Sequence, residues 1–453
     1  MTTSEQEFLS TAGPLADSLL DYARTAGQPY GITDARIVIS GADKVENSVE
    51  KGEVTRAVAG KTYNVGITLY AGDRVLSLSK NTLDEKALKD AMLENMKVIH
   101  IVPENKAKRL LAADKVFTGA KKDLDLFDAH PPTTEELVQY AKDVEAAALA
   151  QPGVKTTRSV SVTKNENHVL IRATNGQDQH ESRTIYSAGA SVIAANGKEM
   201  QIDGERSIAR HFNDMAKPKQ LGKEAGLNAV SKLDSSLPDT GEMTIVLDNS
   251  AAEAFFSSVY SSINGTAIAR GASFMKGKLG QQVMNAGITI EDDPAIARGL
   301  GSASVDSVGV EMKKITFVEN GVLKSYQASL TEARTLGIEP IGREGGPTNT
   351  RVLPGAQTPD DLIKDIKEGI YIKGFNGGTV NVNNGLHSRQ AYGNLIKDGK
   401  VTDIAVSGFV VSGNLKDMFM KAVVANDTPD LPSTKHNLAA PTTRIDGITI
   451  AGR

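Results

Sequence analysis

Cysteine is absent from the 453 residues, and so is tryptophan. The first absence removes disulfide frameworks, Cys-ligated zinc, iron–sulfur clusters and thiol nucleophiles together. It leaves the compartment open, because a Cys-free chain folds equally well in reducing or oxidising surroundings. The second absence, with aromatics at only 5%, argues against base-stacking platforms. A basic excess is missing too: 51 Lys and Arg face 55 Asp and Glu, for a net charge of -4. Nucleic-acid binders usually carry a strong positive excess, so no direct nucleic-acid contact is expected. No run approaches the ~18 apolar residues of a membrane span. The opening MTTSEQEFLSTAGPLADSLLDYA has no basic stretch followed by an apolar one. The expectation is a soluble, cytoplasmic protein with no membrane association.

What is present reads as an ordinary globular chain, 40% hydrophobic and 23% charged. Its length allows two or three domains of roughly 100–200 residues. Four capping-box signatures announce helix starts, at Ser4/Glu7, Thr82/Glu85, Thr133/Glu136 and Ser250/Glu253. Apolar residues recur at helical spacing after Thr82 and after Thr133. Pro14 is expected to interrupt the first helix. Thr358 with Pro359 opens another helix, which Gly369 is expected to close.

Strands alternate with turn signals. Val65, Ile67 and Leu69 share one face, and Ala71-Gly72-Asp73 turns the chain into Val75–Ser79. Asn196-Gly197, Asn320-Gly321 and Asp398-Gly399 read as hairpin turns of type I′. Helices and hairpins with little strand–helix–strand alternation predict an antiparallel α+β fold with hairpin-rich sheets. Polar linkers at 118–133 and 232–241 divide the chain. The N-terminal α+β domain is placed at 1–235, with a subdivision near 118–133. A β-rich C-terminal domain is placed at 241–453. The tail from Asn426 to Thr443 is read as a loop or arm.

Familiar chemistry is sparse. Gly271 to Gly277-Lys278 has five intervening residues where a phosphate loop needs four, and Leu279 stands where that loop has Ser or Thr. The seven histidines, His100, His130, His168, His180, His211, His387 and His436, include no i, i+4 pair, so no H-E-x-x-H motif exists. A site assembled from distant histidines stays open. Asp123, Asp125 and Asp128 lack the Gly and terminal Glu of a calcium loop and read as a solvated turn.

A set of ordered blocks is more specific. RGASF at Arg270–Phe274, ITIEDDP at Ile288–Pro294 and GLGSASVDSVGV at Gly299–Val310 are followed by ENGVLKSY at Glu319–Tyr326 and EARTLG at Glu332–Gly337. GGTVNVNNG at Gly377–Gly385, SGNLKDM at Ser412–Met418 and ITIAG at Ile448–Gly452 complete the series. With DLDLF at Asp123–Phe127, the chain resembles the TldD/PmbA family over nearly its whole length, and specifically its PmbA (TldE) branch. The resemblance implies a non-catalytic subunit that pairs with a TldD-like chain as a heterodimer, forming a zinc metallopeptidase for unfolded peptides and small unstable proteins. The catalytic branch carries H-E-x-x-x-H on a helix, plus a Cys ligand. Here Ala252 and Ser257 stand at the two histidine positions around Glu253. The resemblance therefore implies no catalytic, metal or cofactor residue in this chain, with zinc held by the partner. Glu253 has a structural role available as the far member of the Ser250 capping box.

The remaining candidates for substrate or partner contact are Gly377, Gly378, Asn381, Ser388 and Arg389. Paired glycines admit another backbone closely; the alternative is a glycine-rich hairpin needed only for the fold. Leu386-His387 departs from the Asp-Tyr pair more usual in the branch, and Gln390 stands where Gly is common. His387 is read as a surface or hydrogen-bonded histidine. Two other readings stay in play. One is an autonomous homodimeric enzyme using Glu253 and His387; the other is a peptide-binding scaffold.

Overall fold

The computed structural model describes residues 3–432 and 437–453. His436 and the 433–436 part of the polar tail lie outside the described residues. The first half runs α1 (Thr3–Ala26), β1 (Asp34–Glu50), β2 (Glu53–Ala71), β3 (Arg74–Lys80), α2 (Glu85–Val98), α3 (Thr134–Leu149), β4 (Val154–Ala173), β5 (Asp178–Ala195), β6 (Met200–Ala209) and α4 (Pro218–Val230). Its strands make one antiparallel sheet in the order β3-β2-β1-β4-β5-β6. Helices α1 and α2 bury Leu19, Met92 and Met96 against Ile37, Ile39 and Ile67 of the sheet. Helices α3 and α4 bury Leu137, Val144, Leu221 and Ala225 against Val160, Val162 and Val192.

The second half begins with β7 (Gly241–Leu247), α5 (Asn249–Ile263), α6 (Gly265–Arg270), β8 (Ile290–Asp292), β9 (Ile315–Glu319), β10 (Val322–Leu323) and α7 (Leu330–Leu336). It continues with β11 (Thr350–Val352), α8 (Pro359–Ile363), β12 (Glu368–Asn381), β13 (Leu386–Lys397), β14 (Lys400–Asn414), α9 (Leu415–Lys421), β15 (Val423–Val424), β16 (Leu438–Ala439) and β17 (Thr443–Ala451). One sheet runs β14-β13-β12-β7-β17-β15, and β14 also pairs with β17, closing β7, β12, β13, β14 and β17 on one another. A smaller sheet runs β10-β9-β8-β11-β16. Two pairs, β7 with β12 and β11 with β16, are parallel. The first is reached through α5 and a long crossover, as parallel neighbours require. The fold is α+β with mainly antiparallel sheets. Among the described residues no helix is long and apolar enough to cross a membrane.

Several local expectations change. Helix α1 runs straight through Pro14. Its apolar stripe of Phe8, Ala12, Leu15, Ala16 and Leu19 is buried, and that packing outweighs the lost backbone bond. Arg172 also donates to the Gly13 carbonyl at 3.0 Å. Ser4 already lies inside α1, so it is no cap. Asp84, not Thr82, caps α2, accepting from the Ala87 amide at 2.8 Å. The Thr133/Glu136 box forms reciprocally. Thr358 caps α8 in a box with Asp361, but that helix ends at Ile363, and Gly369 pairs with Thr244 inside the closed sheet. The hairpins at Asn320-Gly321 and Asp398-Gly399 have both residues at positive φ, as type I′ demands. At Asn196 the strands pair as expected, yet pairing stops at Ala195 and Met200, so the loop holds four residues. In the tail, Leu438 and Ala439 add a strand to the small sheet, and Thr428 donates to the Val352 carbonyl.

Candidate functional site

Helix α5 leaves the end of β7 through Asp248. That side chain accepts from the Ala251 amide at 2.8 Å and caps the helix. The Ser250/Glu253 box therefore does not form: Ser250 sits within the first turn, and the shorter reach belongs to Asp248. Along the helix Ala251, Ala252, Glu253, Phe255, Phe256 and Val259 are buried. Ser257 is exposed, and its hydroxyl donates back to the Ala254 carbonyl at 2.8 Å. Zinc needs nitrogen, sulfur or oxygen donors converging at about 2.0–2.3 Å. Ala252 supplies only a methyl group, and Ser257 spends its hydroxyl on its own helix. The helix face is packed with rings instead: Phe255 meets Phe256 at 5.3 Å and Phe419 at 5.1 Å between centroids. Ala252 and Ser257, which the resemblance sets at histidine positions, do not fit the metal. Among the described residues no three His, Asp or Glu side chains are grouped to hold one elsewhere.

The hairpin of β12 and β13 packs onto this helix through a file of rings. Phe255 of α5 lies 6.5 Å from the His387 ring, and His387 lies 5.7 Å from Phe375. The Arg389 guanidinium then covers Phe375 at 4.5 Å. His387 is thus the hydrogen-bonded case, buried rather than on the surface, with Nδ1 3.2 Å from the Val411 carbonyl. Burial pushes its pKa down to about 4, outweighing that hydrogen bond. The ring is neutral at pH 7.

The five candidate contact residues all lie on this hairpin. In the register Gly377 faces Gln390, Gly378 faces Arg389, Thr379 faces Ser388 and Asn381 faces Leu386. Gly378 has φ of 87°, and a Cβ there would stand 2.2 Å from the Ser388 carbonyl. The close backbone approach is therefore made by this chain's own strand. Gly377 is different: it is exposed, and a Cβ would meet nothing within 4 Å. Asn381 builds the tip, its side chain accepting from the Asn383 amide at 3.0 Å. Ser388 and Arg389 are half-buried, whereas Gly377, Gly378 and Asn381 face solvent.

Of the acidic run at 123–128 only Asp123 behaves as a solvated turn residue, exposed and accepting from the Asp125 amide at 3.0 Å. Asp128 is buried and accepts from the His130 amide at 3.0 Å and the Phe212 amide at 3.1 Å. Asp125 accepts from Arg298 Nε at 2.6 Å, and His211 Nε2 lies 3.1 Å from it. Arg298 reaches on to Asp214 at 3.0 Å. The segment is a latch between the two halves. Apart from the His130 amide, these partners lie more than 80 residues away in sequence, so no local spacing announces the latch.

Residues 240–452 match the family described as PmbA/TldA metallopeptidase C-terminal domain, and residues 127–233 match the PmbA/TldA metallopeptidase central domain. The chain is similar to metalloprotease PmbA of Escherichia coli O157:H7, 26% identical over 426 residues covering 92% of each chain. A metalloprotease PmbA homolog of Haemophilus influenzae is also 26% identical, over 86% of this chain and 85% of its own. Among solved structures, a candidate modulator of DNA gyrase from Bacteroides thetaiotaomicron aligns at a TM-score of 0.88 and 24% identity, covering 97% of this chain and 99% of that one. TldE from Thermococcus kodakarensis aligns at 0.80 and 18% identity, covering 96% and 100%.

Proposed function

The chain belongs to the PmbA/TldD metallopeptidase family, and on that footing we propose that it is the non-catalytic, TldE-like subunit of a two-chain cytoplasmic zinc metallopeptidase. The partner is a TldD-like chain bearing H-E-x-x-x-H, which holds the zinc. The substrates are unfolded peptides and small unstable proteins. One observation carries the reading: on α5 the two family histidine positions are a buried alanine methyl and a serine hydroxyl bonded to its own helix. No cysteine exists in the chain to complete a ligand set. The contribution of this subunit is then to assemble the enclosure and to offer backbone to an extended peptide, which recognises main chain rather than side chains.

The deciding measurement is cleavage of an unfolded peptide by this chain, by a TldD-like chain, and by their mixture, with size exclusion on each. The mixture is expected to co-elute and to cleave in a chelator-sensitive manner, while this chain alone does neither. Chelator-resistant cleavage by this chain alone would transfer the activity to it and favour the homodimeric enzyme. Co-elution with no cleavage by any mixture would favour the scaffold.

A further inference from the structure

A cleft of about 1010 Å³ opens between the β4–β5 face and two segments packed against it, 121–127 and 300–307. Val169, Ile171 and Ile185 give it an apolar floor. Arg210, just past the end of β6, lines it while being only 2% exposed. The Arg210 guanidinium donates to three backbone carbonyls: Nη1 to Thr184 at 3.2 Å, Nε to Gly299 at 3.5 Å, and Nη2 to Leu300. A guanidinium has five N–H donors, so these bonds leave two donors over. Among the described residues no carboxylate forms an ion pair with it. Burial without an ion-pair partner is costly, and it pulls the Arg210 pKa down to about 10 against the weaker opposing pull of Glu181.

Of the four acids lining the cleft, Asp123 is exposed and accepts only from the Asp125 amide at 3.0 Å, and the other three face partners of their own. Glu181 pairs with Arg183, Asp125 with Arg298, and Glu5 stands 3.7 Å from His180. Lys121 at the rim donates to the His180 carbonyl at 2.7 Å and likewise has no carboxylate in ion-pair contact among the described residues. The cavity thus offers two cations over an apolar floor at a boundary between chain segments, a usual place for ligand sites. We propose that this cleft is a carboxylate-binding site, and that its ligand is the C-terminal carboxylate of a short extended peptide held by Arg210 and Lys121. The choice of a peptide rests on the peptide-handling role proposed above; the anion contact rests on the cleft itself.

The test is binding, not cleavage, so it reads out whether or not the subunit assignment holds. An N-terminally fluorescein-labelled Ala/Val peptide of about six residues is prepared as the free acid and as the C-terminal amide, and anisotropy is measured with the full chain alone. A charge-assisted bond to a desolvated cation predicts about tenfold tighter binding of the acid. Lys121→Gln should reduce that preference to about threefold with an unchanged circular dichroism spectrum, and Arg210→Met should remove it. Arg210 also ties β5 to the 299–300 segment, so its variant is read only where it folds; Lys121→Gln carries the test where it does not. Equal affinity for acid and amide in the native chain would overturn the proposal. So would a full preference retained in Lys121→Gln alongside an Arg210→Met chain that merely melts, because Arg210 would then be a strut.

Discussion

Nδ1 of His387 stands 3.2 Å from the carbonyl oxygen of Val411, so the ring donates there and holds its Nε2 lone pair in the apolar space between Phe255 and Phe375. Nε2 has no hydrogen-bond partner among the described residues. The folded pKa of about 4 lies below the unfolded value of 6.5. The sign follows: as pH falls through 6.5 the unfolded chain takes up a proton that the folded chain refuses. Stability is therefore full above about pH 6.5, falls between 6.5 and 4, and levels off below. Between pH 7 and 5 the native chain should lose about 2 kcal/mol more than His387→Leu. Urea midpoints of both chains at the two pH values measure this, and parallel losses would refute it.

Asp248→Ala should cost about 1 kcal/mol, because it strips the cap from α5. Ser250→Ala, at an exposed first-turn position, should stay within about 0.5 kcal/mol. Thermal unfolding of the pair distinguishes the observed cap from the one suggested by the S-x-x-E spacing.

Arg343 and Asp292 form an ion pair at 2.6 Å with both side chains fully buried. Asp292 also accepts from Thr348 and Thr350, and Arg343 donates to the Lys313 carbonyl. Removing one charge strands the other. Arg343→Met should cost on the order of 3–5 kcal/mol, seen as a large fall in urea midpoint. A loss under about 1 kcal/mol would mean the site relaxes or admits water.

The two glycines of the β12–β13 hairpin should part company. Gly378→Val places a branched Cβ against the Ser388 carbonyl at positive φ, and should destabilise the isolated chain by at least about 2 kcal/mol. Gly377→Val meets open space and should change stability by less than about 1 kcal/mol. If the hairpin contacts a partner or peptide, Gly377→Val should weaken assembly or cleavage in the mixed assay while leaving the melting curve in place. Unchanged assembly and cleavage would make the hairpin a purely structural element.

Much of this molecule was legible before folding. The Thr133 box, the I′ turns at Asn320 and Asp398 and the α+β class rest on contacts within a few residues, where spacing encodes geometry directly. Ser329 with Glu332 forms a capping box as well, and its S-x-x-E spacing was there to be read. That alanine and serine stand at 252 and 257, where the resemblance would set histidines in the catalytic branch, is equally a matter of residue identity.

The tertiary structure decided the rest, because the competing terms come from distant residues. Pro14 remains in a helix since a buried stripe repays its missing bond. Asp125 becomes part of a latch only when Arg298 and Asp214 arrive. Gly369 is a strand residue because β7 lies beside it, and His387 is neutral because Phe255 and Phe375 exclude water from it. Arg210 follows a strand like any surface arginine in the sequence. Only the approach of Thr184, Gly299 and Leu300 buries its charge beside a cleft, since burial and desolvation are properties of what surrounds a residue, not of its neighbours along the chain.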